Sequence, residues 1–272
     1  MSLQATNRAH RIIWLHIGVH KTGTTSIQTA LARHRDLLRA HGVYVPKAGT
    51  VDPCSGHHAI AWAALEDPRY RPAYGDIHDL CRELSLILER VALISSEALE
   101  YLVEQGDALR EIESALLQAG WETRYVVYLR GQSGYAASLW NELAKHGLSV
   151  GYGRFVWEIL LHGRLVMNRN WVFHFDYMRF LARWRAATTG MIQARVYERD
   201  RPAAHLIRDF LLLLGVDADV AASVADRSPT LNVGAARRPG MGERLAAGLL
   251  EARFARSNAR LRRSWGVDLS SR

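Results

Sequence analysis

The strongest constraint on the fold is a change of hydrophobic period near the start of the chain. Residues 12–17 are apolar or bulky throughout, as in a strand that is buried on both faces of a parallel sheet. Over residues 26–41 the apolar positions recur every three or four residues, which predicts one helix, ended by Gly42. Between strand and helix lies a loop rich in small residues and hydroxyls, residues 18–25, which we call the phosphate loop.

A strand that feeds such a loop and then a helix predicts a phosphate site, because backbone N–H groups and the positive end of the helix dipole converge there. The spacing of Gly18, Gly23, Thr24 and Thr25 fits the pattern G-x-x-x-x-G-[KT]-[ST]. Thr24 stands where a nucleoside triphosphatase has its lysine, and Lys21 lies inside the loop instead. A sulfuryl group on a phosphate carries less charge than a terminal phosphoryl group. One ammonium at the bridging oxygen therefore neutralises the leaving phosphate, and a metal ion is less needed.

The segment His-Lys-Thr-Gly-Thr-Thr-Ser resembles the 5′-phosphosulfate loop of P-loop sulfotransferases, in a form similar to a bacterial branch of that superfamily. These enzymes take sulfate from 3′-phosphoadenosine 5′-phosphosulfate (PAPS) and release the 3′,5′-bisphosphate (PAP). The resemblance implies that no metal ion is required and that Lys21 is catalytic. It also implies a nucleotide-binding set in this loop: His20, Lys21, Thr22, Gly23, Thr24, Thr25 and Ser26.

A second segment, residues 126–141, resembles the part of this family that holds the 3′-phosphate. The resemblance implies that the strand-end Arg130 and Ser138, eight residues later, bind that phosphate. Arg130 also suits the role physically, through its charged bidentate fork.

Two weaker resemblances concern the rest of the nucleotide. Residues 196–198 are similar to the strand end where cytosolic members place a tyrosine at the adenosine, which implies that role for Tyr197. A tyrosine that merely caps the core is an equal alternative. Arg237 and Arg238 fall where the family closes a late loop over the nucleotide, although they lack the glycine–lysine pattern of the cytosolic members.

An acceptor hydroxyl or amine must lose a proton as it attacks, so a histidine or carboxylate is expected nearby. His57 and His58 follow the second predicted strand, where several family branches place a glutamate base. Glu97 ends the third predicted strand, near the position of a histidine in cytosolic members. Each has a structural alternative: a strand-end glutamate often caps a helix, and histidines at a helix start often only bind the backbone.

Strands that alternate with helices predict a P-loop type α/β fold of three layers, with a central parallel sheet flanked by helices and a helical C-terminal extension. Because ligands bind beyond the carboxyl ends of parallel strands, the phosphate loop, residues 95–97, Arg130 and Tyr197 should share one rim. We predict a single sulfotransferase-like domain over residues 1–272, with a core at about 11–215 and a basic segment at about 216–272.

Three further patterns are interpreted as follows. A helix over residues 76–90 should place Leu80, Leu84 and Leu88 on one face. Residues 151–189 read as helix, broken by a flexible insertion on the substrate side at 168–170. After residue 215 we expect a loop and then an arginine-rich helix that ends near Arg263.

Composition bounds the class of protein. The chain has 272 residues, of which 49% are hydrophobic and 23% charged, as in a globular protein. No apolar run reaches the roughly 20 residues of a membrane span. Two cysteines give neither a disulfide framework nor a metal-binding spacing, so a cytoplasmic location is predicted. Residues 226–272 carry ten arginines and four acidic residues, a basic surface that suits an anionic cofactor, a lipid, nucleic acid or simply solvent.

The sequence therefore predicts a metal-independent transferase that moves a sulfuryl group from PAPS to a hydroxyl or amine by in-line displacement. The acceptor stays open among a saccharide, a lipid and a small alcohol, and no sequence-specific nucleic acid is expected. Two other classes remain. A P-loop kinase would need a lysine at position 24 and a carboxylate for Mg²⁺, for which only Glu97 is placed. A non-catalytic protein that binds nucleotides or polyanions through its basic segment would bind without turnover.

Overall fold

A computed structural model describes residues 10–52, 56–229 and 240–270. Arg237 and Arg238 lie outside these residues. The described strands are β1 Ile12–Ile17, β2 Val43–Tyr44, β3 Val91–Ser96, β4 Glu122–Leu129, β5 Arg164–Asn168, β6 Trp171–His174 and β7 Met191–Val196. The described α-helices are α1 Thr24–Arg33, α2 Arg35–Ala40, α3 His58–Ala64, α4 Ile77–Ser85, α5 Gly106–Gln118, α6 Gln132–Lys145, α7 Tyr152–His162, α8 Tyr177–Ala187, α9 Ala203–Leu213, α10 Ala218–Arg227 and α11 Met241–Trp265. The described 3₁₀ helices span Pro72–Tyr74 and Glu97–Glu104.

Five of the described strands form one parallel sheet in the order β2-β3-β1-β4-β7. Ile12 is level with Val91 of β3 and with Glu122 of β4, and Arg124 is level with Met191 of β7. All five carboxyl ends therefore lie at the same edge, as the alternation of strands and helices predicts.

The central strand β1 is buried on both faces of this sheet. Ile13, Leu15 and Ile17 pack in one apolar cluster with helices α5 to α8 and α11. Trp14 packs in a second cluster with α1, α2, α9 and α10. The predicted three-layer architecture and the helical C-terminal extension are thus confirmed. None of the helices in the described residues combines the length and the apolarity needed to cross a bilayer.

The single helix predicted over residues 26–41 is wrong, because the chain leaves the helical conformation at His34, with φ −112° and ψ 23°. Two short helices result. The second carries Leu38 into the core, and Arg35 donates a hydrogen bond to the carbonyl of Pro46. Both helices bury the same side, so the apolar period runs through the break and gives no sign of it.

Helix α4 ends earlier than predicted. Leu80 and Leu84 are fully buried as expected, but Leu88 is 96% exposed. The guanidinium of Arg11 donates to the carbonyls of Leu84 (3.1 Å) and Ile87 (2.9 Å). These bonds satisfy the open end of the helix at Ser85 and direct the chain towards β3.

Residues 151–189 differ most from the prediction. Between α7 and α8 lies an antiparallel hairpin, β5–β6, and residues 168–170 form its turn rather than an insertion in a helix. The amide of Asn170 donates to the side chain of Asn168 (2.9 Å) within that turn. The two strands are short and their register is interrupted, so no alternating pattern marks them in the sequence. Helix α10 was likewise missed; Asp217 caps its first turn.

Candidate active site

The phosphate loop leaves β1 at the sheet's carboxyl edge and enters α1 at Thr24. The amide of Gly18 donates to the carbonyl of Ser96 on the neighbouring strand (3.1 Å). A Cβ atom at Gly18 would lie 2.7 Å from Cγ2 of Thr24 and 3.1 Å from Cγ of Glu97. Glycine is therefore required for this close approach, and it brings Glu97 to the start of the loop.

The second glycine of the loop, Gly23, precedes α1 with a φ of +77°, a conformation that favours glycine. A Cβ atom there would lie 2.5 Å from Leu206 and 3.0 Å from the ring of Tyr197. Tyr197 follows β7, so the sheet order places the predicted adenosine residue directly against the phosphate loop.

Lys21 lies between these glycines in a left-handed conformation with φ +65°, which is uncommon for a residue with a side chain. Its carbonyl accepts a hydrogen bond from Nη1 of Arg130 (3.1 Å). Its Nζ lies 3.3 Å from Oε2 of Glu142. One residue of the loop thus contacts both the end of β4 and the helix that follows it.

Two buried polar groups at the loop lack a partner among the described residues: Arg130 has no anion beside it, and the hydroxyl of Thr24 has no hydrogen bond. Arg130 is only 7% exposed, and within the described ranges no carboxylate lies within ion-pair distance of its guanidinium. Burial lowers the pKa of Arg130. The hydroxyl of Thr24 is buried and makes no hydrogen bond to the residues described. A buried cation and a buried donor beside a helix N-terminus define a site for an anion.

The other loop residues differ in exposure. Thr22 is buried and its hydroxyl donates to the carbonyl of Val19 (2.5 Å), which stabilises the loop itself. Thr25 is exposed and Ser26 is buried at the start of α1. The helix therefore presents one hydroxyl to the surface and keeps its neighbours inside.

The side chain of His20 points into the protein. Its Nδ1 lies 3.1 Å from Oε2 of Glu100, and its Nε2 lies 3.0 Å from the hydroxyl of Tyr101. The ring also meets the edge of Phe173. Glu100, which is fully buried, was missed by the sequence reasoning, although it follows Glu97 by one turn of the 3₁₀ helix. His20 is thus held from inside, which anchors the loop.

One face of α6 runs along this site. A Cβ atom at Gly134 would lie 3.3 Å from Nε of Arg130, so the guanidinium rests on the first turn of the helix. Ser138 and Glu142 follow at steps of four residues and share that face. Ser138 therefore lies on the same face of α6 as Gly134, against which the guanidinium of Arg130 rests. Glu142 was not predicted, although the same four-residue step leads to it.

The geometry does not support His57 as a general base. Its Nε2 donates to the carbonyl of Pro46 (2.9 Å), and its Nδ1 accepts from the amide of Ser95 (3.1 Å). Burial lowers the pKa of His57 to about 4. Both ring nitrogens are engaged by the backbone, so the side chain is a neutral structural link between strand ends.

His58 and Glu97 lie together at the same rim. Nδ1 of His58 is 2.8 Å from the hydroxyl of Ser96 and 3.7 Å from Oε2 of Glu97. The ring stacks on Trp62. Burial lowers the pKa of His58, against the opposing effect of the Glu97 carboxylate. A histidine that is neutral near pH 7 and partly open to solvent has the properties of a proton acceptor.

The geometry defines a class of protein: an α/β protein with a parallel sheet and a loop after its central strand that is suited to bind an anion. The fold is similar to that of a sulfotransferase from Alicyclobacillus acidocaldarius, at 17% identity and a TM-score of 0.58, over 96% of this chain and 98% of that one. A mouse sulfotransferase, SULT7A1 complexed with PAP, aligns over 93% of this chain and 85% of its own at 15% identity. Its TM-score of 0.45 is too low to carry an argument. The sequence matches no family model and no curated protein. The first likeness establishes the fold.

Proposed function

We propose that this chain is a PAPS-dependent sulfotransferase that transfers a sulfuryl group to a hydroxyl or amine. The observation that carries the proposal is the buried guanidinium of Arg130, which contacts the phosphate loop and has no carboxylate partner among the described residues. A nucleotide with a 5′-phosphate and a 3′-phosphate carries two anions and needs two neighbouring sites that bind anions. The phosphate loop and the guanidinium of Arg130 beside it are two such sites.

The residues present fit such a nucleotide. The amides of the phosphate loop and the unpaired hydroxyl of Thr24 would hold the 5′-phosphosulfate. Arg130 and Ser138, on one side of α6, would hold the 3′-phosphate. Tyr197, whose ring centroid lies 5.8 Å from the guanidinium carbon of Arg130, would pack against the nucleoside.

The chemistry then follows from the positions of three protein groups, Lys21, His58 and Glu97. The acceptor oxygen or nitrogen forms a bond to sulfur as the bond from sulfur to the 5′-phosphate oxygen breaks in line. The electron pair stays on that phosphate oxygen, where the ammonium of Lys21 neutralises the charge. The acceptor's proton passes to His58, and Glu97 stabilises the imidazolium that results.

The test compares two nucleotides by calorimetry. PAP should bind about ten- to a hundredfold more tightly than ADP, because a buried charge-assisted contact to the 3′-phosphate contributes roughly 1.5–3 kcal/mol. Arg130→Gln should remove most of that preference. Activity with PAPS and a panel of hydroxyl acceptors should persist in EDTA. Equal affinity for both nucleotides would contradict the proposal, and a strict requirement for Mg²⁺ would favour phosphoryl transfer.

A further inference from the structure

The ammonium of Lys21 is paired with a carboxylate of helix α6. Its Nζ lies 3.3 Å from Oε2 of Glu142, on the α6 face that also carries Gly134 and Ser138. Lys145 and His146 flank the same carboxylate at 3.5 Å and 3.6 Å, one turn further along the helix.

These contacts leave Glu142 ionised. Partial burial alone would raise the pKa of Glu142, but the attraction and hydrogen bonds of Lys21 and Lys145 together outweigh it and lower the pKa. An ionised carboxylate, that of Glu142, is thus paired with the ammonium of Lys21. In the proposed reaction the same ammonium neutralises the leaving phosphate.

We propose that Glu142 is a positioning residue for Lys21. It binds the ammonium while the loop holds no phosphate, and it competes with the incoming nucleotide for that ammonium. This inference rests on the proposed function, since it takes the phosphate loop to bind a phosphorylated ligand through Lys21.

The size of the effect follows from exposure. The side chains of Lys21 and Glu142 are 33% and 37% exposed, so the pair is weak and screened by water. A phosphate bound by the loop amides attracts the ammonium more strongly, and Lys21 transfers to it. Because the pair between Lys21 and Glu142 must first be broken, the binding free energy of the nucleotide is reduced by the modest free energy of that pair. Removing the carboxylate should therefore strengthen binding, whereas damage to the structure would weaken it.

The experiment measures PAP binding by calorimetry for the full chain and for Glu142→Gln, at about 0.15 M salt. We expect Glu142→Gln to bind PAP about two- to fivefold more tightly. The matched control is Glu158→Gln, which changes the net charge equally in α7, where Glu158 is paired with His162. It should leave the affinity unchanged. In a Lys21→Ala background the gain from Glu142→Gln should disappear, because the ammonium for which the carboxylate competes is gone.

Unchanged or weaker binding by Glu142→Gln would overturn the inference. The same gain in the Lys21→Ala background would also overturn it, because Glu142 would then act on the ligand directly. Inorganic pyrophosphate serves as a second probe of the loop alone. If the wild-type chain binds pyrophosphate but shows no preference for PAP, the proposed function fails. The effect of Glu142→Gln on pyrophosphate binding still decides the inference in that case.

Discussion

At the scale of single residues, Lys21 separates the proposed transferase from a simple nucleotide-binding protein. Charge on the bridging oxygen grows only as the bond to sulfur breaks, so the ammonium stabilises the transition state more than the bound nucleotide. Lys21→Ala should therefore keep PAP affinity within a few-fold of the wild type and lower kcat by about 10²–10³. Lys21→Arg should restore little, because a planar fork does not replace a compact ammonium in a tight loop.

Steady-state kinetics with PAPS, together with PAP titration, give both quantities for each variant. Lys47→Ala is the matched control, since Lys47 is exposed in the segment after β2. It should change neither. A loss of PAP affinity by Lys21→Ala in full proportion to the loss of kcat would make Lys21 a nucleotide anchor without a catalytic part.

The neighbouring histidines make a second comparison at this scale, because the structure gives them different environments. His58→Ala should lower turnover by roughly 10²–10⁴-fold with PAP binding nearly unchanged. Since burial lowers the pKa of His58, kcat should rise with pH, and the midpoint of that rise should lie below 6.5. His57→Ala should instead lower stability and leave the pH profile of the residual activity in place. If His58→Ala leaves the pH profile of kcat unchanged, another group accepts the proton of the acceptor.

At the scale of elements, the parts of the fold that could be predicted are those in which one period persists. The strands β1, β3 and β4 each contain a run of at least four apolar residues, whereas β7 alternates apolar with polar residues after Ile192. Their parallel order brings the carboxyl ends to one rim. The strands β5 and β6 could not be predicted, because four or five residues with an interrupted register give no alternation. The position at which α4 ends could not be predicted from the local sequence either. It depends on hydrogen bonds from Arg11, which is more than 70 residues away in the sequence.

The candidate site follows the same division. The phosphate loop and Arg130 follow strand ends directly, so strand position alone predicted that they lie close together. Glu100 and Glu142 lie inside helices, where an acidic residue is ordinarily on a solvated face. Their contacts with His20 and Lys21 join segments 80 and 121 residues apart. Such pairs depend on how helices pack on the sheet, which the period of one helix does not specify.

At the scale of the whole molecule, burial of neutral histidines couples stability to pH. His16 is buried in β1, His57 is buried just before α3, and His174 is buried at the end of β6 in the hairpin. Burial lowers the pKa of His16 and of His57 to about 4, and that of His174 to about 3. In the unfolded chain each has a pKa near 6.5. The folded state therefore binds fewer protons than the unfolded state between about pH 6.5 and pH 4, and stability must fall as pH falls through that window.

The expected size of that loss is about 2 kcal/mol for each histidine between pH 7 and pH 5. Three such groups together represent a large share of a typical folding free energy of roughly 5–15 kcal/mol. Urea unfolding at pH 7, 6 and 5 measures it directly. His16→Gln should lower stability at pH 7 but reduce the loss on acidification by about 2 kcal/mol, because one proton-binding group of the unfolded chain is gone. His41→Gln, at an exposed position, should leave the loss unchanged. A free energy of unfolding that is constant from pH 7 to pH 5 would mean that these histidines are not buried in their neutral form.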